Sequence, residues 1–247
     1  MTQAATQVEK PRSAEMHPGP GFRVRPAPSK PAPELVEAFR EFDTPEVSDL
    51  MNRLYTMTSA IQNVTDPALK IVGPACTVKV FPGDNLMVHK SLDLAAPGDV
   101  VVVDAGSSPM NGVLGDLIST KARHRKIAGF VVDGLIRDLP RIRALQDFAV
   151  FARGVTPIGP LHRGPGEVNF PISAGGIVVH PGDIIIGDLN GVVVVPQEAA
   201  SELLERLRAQ KASEASYLDA VARGNFSNAW VDRILAESDV IVAEDGA

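Results

Sequence analysis

Gly98-Asp99-Val100-Val101-Val102-Val103 and Gly129-Phe130-Val131-Val132-Asp133-Gly134 are two short apolar runs, and Arg137-Asp138 follows closely after the second. Continuous apolar runs of this length, bounded by turn residues, read as strands buried on both faces. Between them, Asp104 to Asn111 reads as a loop, and Gly112 and Gly115 lead into a helix through Lys126. A further helix from Pro140 onward precedes a third strand, Phe148 to Phe151. This β-α-β-α-β alternation predicts a parallel or mixed sheet with helices packed against it.

Working outward, Thr44-Pro45-Glu46 supplies an N-cap, a proline at the first helical position and an acid in the first turn. That helix is expected to run through Val47, Leu50 and Leu54. Ala75 to Val80 reads as a strand, and Gly83-Asp84-Asn85 caps a helix carrying Leu86, His89, Leu92 and Leu94. Later, Gly176 to His180, Asp183 to Ile186 and Val192 to Val195 are short strands separated by Pro181-Gly182 and Asn190-Gly191. Their spacing suggests a meander or small second sheet. A long helix from Gln197 to Val221 and a shorter one from Trp230 to Leu235 close the chain. The expected fold is α/β: one β/β/α layered domain over residues 34–247, with a mostly parallel central sheet and a second small sheet. Residues 1–33 carry seven prolines and few large apolar side chains. They read as an N-terminal arm, extended or disordered.

The 247 residues carry a net charge of −6 and 45% hydrophobic residues, only 5% aromatic. The core must therefore be built from Val, Ile, Leu and Ala. The acidic balance argues against a nucleic-acid partner, which would need a basic face. No apolar run approaches the ~20 residues that span a bilayer, and no signal pattern opens the chain. No membrane partner and a cytoplasmic location are the expectations. The single cysteine, Cys76, lies in a strand and reads as a buried structural thiol. The five histidines are dispersed, without zinc-type spacing.

Two places carry candidate chemistry. Gly112-Val-Leu-Gly115-Asp116-Leu117 places glycines at a loop-to-helix junction, where backbone amides can approach an anion. A plain turn and helix start explains the same residues. Arg137 and Asp138 stand just past a buried strand, at the sheet edge where α/β proteins bind ligands. A helix cap with a surface salt bridge is the alternative. Lys90 and Lys121 are candidate Schiff-base lysines, although solvated positions on amphipathic helices account for both. Asp104 with Ser107-Ser108 either approaches a substrate or forms the turn after its strand.

The order and spacing of several motifs resemble the RraA-like family, which includes class II 4-hydroxy-4-methyl-2-oxoglutarate and 4-carboxy-4-hydroxy-2-oxoadipate aldolases. They are Thr44-x-x-Val47-Ser48-Asp49, Asp84-Asn85-Leu86, Pro97 to Asp104, Gly115-Asp116-Leu117, Val132-Asp133-Gly134-x-x-Arg137-Asp138, Phe151-Ala152-Arg153-Gly154-x-Thr156-Pro157 and Pro181-Gly182-Asp183. The resemblance implies a swivelling-domain fold. It assigns a divalent metal, Mg²⁺ or Mn²⁺, to Asp138, substrate contact and catalysis to Arg137, and a water-mediated metal contact to Asp116. It also lays the backbone of Gly115, Asp116, Leu117 and Ile118 against the carboxylate of a 2-oxo acid. The implied reaction is cleavage of a 4-hydroxy-2-oxo acid to pyruvate through a metal-stabilised enolate, with oxaloacetate decarboxylation accessible to the same site. A homotrimer or hexamer is implied as well.

Asp49 stands near a position where some relatives carry Glu. Glu214, Glu202 and Glu205 are alternatives for an acid supplied by a late helix, and Asn190 replaces an Asp common in relatives. The competing function is a non-catalytic regulator that binds an RNA-degrading enzyme. A methyltransferase reading lacks the glycine-rich nucleotide loop it would need.

Overall fold

The computed structural model describes residues 13, 15–26, 28–238 and 240. Part of the expected arm, residues 1–12, 14 and 27, lies outside these. The chain divides into two compact units, one up to Leu204 and one from Glu205.

In the first unit, strands β3 (Ile71–Val80), β4 (Val100–Asp104), β5 (Gly129–Ile136) and β6 (Ala149–Val155) form a parallel centre in that order. Alternation along the strands sends their side chains to two different cores. Val101, Val103, Phe130 and Val132 face one core, with Val88 and Leu92 of α3 (Leu86–Leu94), Ile118 and Ala122 of α4 (Asp116–His124), and Ile142 of α5 (Leu139–Arg143). Val100, Val102 and Val131 face the other, with Ile172 of β8 (Ile172–Ala174) and Val179 of β9 (Ile177–Val179). The layers are therefore small sheet, large sheet, helices, as expected. Each fully buried Val, Ile or Phe contributes roughly 1.5–3 kcal/mol to this packing.

The sheet edges are antiparallel, and here the structure differs from the sequence reading. β10 (Ile184–Asp188) pairs with β11 (Gly191–Val195) and with residues 71–74 of β3. Both strands thus extend the large sheet, and only β8 and β9 form the separate one. β3 begins at Ile71 rather than Ala75, because Gly73-Pro74 masks a strand whose first half pairs on one edge with β10. Residues 78–80 pair on that same side with β7 (Gly166–Val168). Within the stretch read as an arm, β1 (Phe22–Val24) lies parallel to β7, and Lys30 Nζ reaches Asp99 Oδ2 at 2.6 Å. β2 (Gln62–Asn63) closes the opposite edge against β6.

Helix α1 (Pro33–Ala38) precedes α2 (Thr44–Leu50), which is capped by Asp43, not Thr44. Glu46 completes a capping box by accepting the Asp43 N–H at 2.7 Å. α2 also stops at Leu50, before the expected Leu54.

β5 holds one residue more than β6 between the pairs Val132–Ala152 and Leu135–Gly154, so a bulge falls at Asp133-Gly134. Helices α6 (Ala200–Ala222) and α7 (Ala229–Glu237) are the last elements among the described residues. Among the described residues no helix is long and apolar enough to cross a membrane.

Candidate active site

β5 stays in the core through Ile136, beyond its bulge, and presents Arg137 and Asp138 just past its carboxyl end. A loop strand runs beside it. Val113 N–H donates to Leu135 O and Arg137 N–H to Leu114 O, both at 2.9 Å, while Gly112 N–H donates to Ile158 O at 2.9 Å. Gly112 permits this approach, since a Cβ there would stand 3.0 Å from the Ile136 carbonyl carbon. Asp138 adopts a left-handed conformation (φ 57°) as the N-cap of α5, which Asp tolerates better than most residues.

Arg137, Asp138, Gly115, Asp116, Leu117 and Ile118 all line one cavity of about 250 Å³. The six residues singled out in the sequence are thus brought together. Arg137 Nε donates to Asp138 Oδ2 at 2.9 Å. The guanidinium also lies against Gly159, where a Cβ would overlap Nη1. Arg141 Nη1 donates to Asp116 Oδ2 at 3.2 Å. Burial pushes the Asp116 carboxyl up, but the hydrogen bond and charge of Arg141 and the Leu117 N–H outweigh it and hold it below the usual range. The Leu117 N–H is already engaged by Asp116 Oδ1 at 2.8 Å. Of the amides expected to meet a substrate, this one is therefore occupied.

The remaining candidates fall elsewhere. Asp49 is exposed and paired with Arg53 at 3.0 Å, and Lys90 pairs with Asp93 at 3.6 Å. Glu214 accepts from Gln210 on an exposed helical face, and Glu202 and Glu205 are exposed too. Asp104 and Ser107 line a different cavity of about 530 Å³, where Ser107 Oγ and Arg153 Nε both donate to Asp133. Burial pushes the Cys76 thiol up to about 12, as befits an inert core residue.

Residues 44–194, more than half of the chain, match the sequence model of the RraA-like group, Aldolase/RraA. The chain belongs to the RraA-like family. A Halalkalibacterium halodurans protein provisionally named 4-hydroxy-4-methyl-2-oxoglutarate aldolase is 39% identical over 181 residues, covering 73% of this chain and 85% of its own. An Azotobacter vinelandii protein with the same provisional name is 33% identical over 157 residues, covering 64% of this chain and 96% of its own. Streptomyces coelicolor RraAS2, described as an unusual member of the RNase ES inhibitor RraA protein family, superimposes with a TM-score of 0.71 at 30% identity. That match covers 77% of this chain and 98% of RraAS2.

The cavity of this RraA-like chain also includes Asn85, His89, Pro160 and His162, which the sequence reading did not place there. Asn85 and His89 stand one helical turn apart at the start of α3, so their i, i+4 spacing was a usable signal. Pro160 and His162 arrive on a loop after β6 that carries no periodic pattern.

Proposed function

We propose that this RraA-like protein is a divalent-metal-dependent lyase. It would cleave 4-hydroxy-2-oxo acids of the 4-hydroxy-4-methyl-2-oxoglutarate type to pyruvate, and decarboxylate oxaloacetate at the same site. One observation carries this reading: Arg137, Asp138 and Asp116 converge on a single small cavity at the carboxyl edge of the sheet. The aldolase names of its relatives support it.

Asp138 and Asp116 are the residues that would hold the metal. No group of three or more His, Cys, Asp or Glu side chains suited to a metal occurs among the described residues. Two neighbouring carboxylates fit a hard cation such as Mg²⁺ or Mn²⁺, which retains several waters and needs few protein oxygens. When bound, such a cation supplies Lewis-acid stabilisation of negative charge on substrate oxygens.

The chain's own contribution begins with Arg137. Its planar donors suit the substrate's carboxylate and the C2 oxygen on which charge develops as the C3–C4 bond breaks. Its bond to Asp138 and its seat on Gly159 hold it in place before substrate arrives. The backbone from Gly115 to Ile118 forms the wall against which the substrate carboxylate is expected to lie.

We also propose a homo-oligomer, a trimer or hexamer. Tyr217, Leu218, Val221, Trp230, Ile234 and Leu235 are exposed on α6 and α7, an apolar display that association would cover.

The test is pyruvate release from several 4-hydroxy-2-oxo acids and from oxaloacetate, with and without Mg²⁺. Pyruvate formed only with metal is the expected result. No pyruvate from any substrate, together with tight binding to a ribonuclease, would replace the lyase with the regulator reading.

A further inference from the structure

Three polar side chains of the cavity have no part in the chemistry described so far: Asn85, His89 and His162. Asn85 is buried, and its Oδ1 lies 2.6 Å from His162 Nδ1. An amide oxygen can only accept a hydrogen bond, so Nδ1 carries a proton. The neutral ring then keeps its lone pair on Nε2. The loop that delivers His162 is pinned on both sides. Leu161 N–H donates to Gly83 O at 2.7 Å, Asn85 N–H to Leu161 O at 3.0 Å, and Arg163 N–H to Asp84 Oδ2 at 2.6 Å. The His89 ring meets that of His162 edge-on, with centroids 5.6 Å apart. Burial first, then the charge of Lys121, hold the His89 imidazole below its usual range. His162 therefore has a fixed backbone and a fixed tautomer.

We propose that His162, oriented by Asn85, is the catalytic base that takes the proton of the substrate's C4 hydroxyl. The proposal rests on the lyase reading and deepens it. His162 Nε2 accepts the hydroxyl proton, and the O–H electron pair becomes the second bond of a C4 carbonyl. The C3–C4 pair becomes the C2=C3 double bond, and the π pair of the C2 carbonyl moves onto its oxygen, giving the enolate of pyruvate. The imidazolium then returns its proton to C3, giving pyruvate and the carbonyl product with His162 neutral again. At about 250 Å³ the cavity is smaller than the roughly 300–1,000 Å³ of typical drug-sized pockets. A ligand held by Arg137 therefore shares confined space with His162. A bond that merely pinned the loop would give the same contact with Asn85, so the test must separate the two roles.

Oxaloacetate provides that separation, because its decarboxylation forms the same enolate with no hydroxyl to deprotonate, and that enolate takes its C3 proton from water. In His162→Ala, kcat for cleavage should fall about a hundred-fold or more with KM little changed. Free imidazole should restore part of the rate, and decarboxylation should change by no more than a few-fold. His162→Gln, closer in size, serves if the alanine variant fails to fold. Asn85→Ala, which frees the ring, should likewise lower kcat for cleavage and spare decarboxylation. Cleavage at the parent rate in a folded His162 variant overturns the proposal, and so does an equal loss of both reactions. If the parent cleaves 4-hydroxy acids but not oxaloacetate, imidazole rescue decides: its presence supports the assignment and its absence overturns it. A parent that releases no pyruvate from either substrate overturns the lyase reading, and this proposal with it.

Discussion

Gly115 and Asp138 occupy adjoining space: a Cβ on Gly115 would overlap Asp138 Oδ2 and approach Arg137 Cγ to 3.0 Å. The backbone at Gly115 is extended (φ −149°), so alanine can adopt it without strain. The three atoms nearest to such a Cβ all belong to the two candidate side chains. Gly115→Ala should therefore melt within a few degrees of the parent. Its kcat/KM should fall about a hundred-fold, the usual cost of displacing a catalytic group by about 1 Å. Parent-like turnover in this variant would show that the position of Asp138 does not matter.

Arg137→Lys keeps the charge but loses the planar fork, and a missing donor of this kind typically costs roughly 3–4 kcal/mol of transition-state stabilisation. Asp138→Asn should cost more, because it removes the carboxylate proposed to hold the metal. Asn tolerates the left-handed backbone at this position, so the fold should persist. Kinetics on both variants, with melting curves as controls, test the site. Near-parent rates in both would rule it out.

Removing the metal offers a separate check. Chelation should abolish pyruvate formation, and added Mg²⁺ or Mn²⁺ should restore it. Zn²⁺ should be a poor substitute in a site of two carboxylates without a Cys/His cluster. Full activity in a sample shown to be metal-free would return attention to the lysines.

Acid should weaken the fold through Asp188. Burial pushes its carboxyl up, but donors from Thr44 N–H at 2.8 Å, Thr44 Oγ1 at 2.7 Å and Asn190 hold it below the usual range. With the folded value lower than the unfolded one, this stabilisation is complete above the ordinary Asp range near pH 4. It disappears as the pH falls through the folded value. Asp188→Asn should lose roughly 1.5–3 kcal/mol at neutral pH. Its Tm should also decline less steeply between about pH 4 and pH 2 than the parent's. Parallel Tm profiles would refute this account.

Light scattering at micromolar concentration should return the mass of a trimer or hexamer. A monomer that retains full activity would contradict the proposed assembly.

Much of the fold could be read because the decisive strands are local. Val100–Val103 and Phe130–Val132 are apolar on both faces, and turn residues and helical stretches punctuate them clearly. Arg137 and Asp138 were legible because they follow such a strand at once. The pairing of β10 was not, since partner choice depends on space left by other elements, and Pro74 hid the edge it uses. His162 was hidden for a different reason. It reaches the cavity on a loop whose path is fixed by hydrogen bonds to residues 83–85, nearly eighty positions earlier in the chain.

The extra residue in β5 works as a phase shifter. Before it, side chains from Gly129 to Val132 stay in step with β6 and serve the core. After it, pairing with β6 resumes one residue out of phase at Leu135 and Ile136, and the residues that follow, Arg137 and Asp138, line the cavity. Trimming one residue between Val132 and Leu135 would restore the step and carry Arg137 away from Gly159, while the upstream pairs kept their partners. Such a protein should turn nothing over and melt well below the parent, because the fully buried Ile136 would change face. Loops beyond that point could then change the substrate accepted without disturbing the packing beneath.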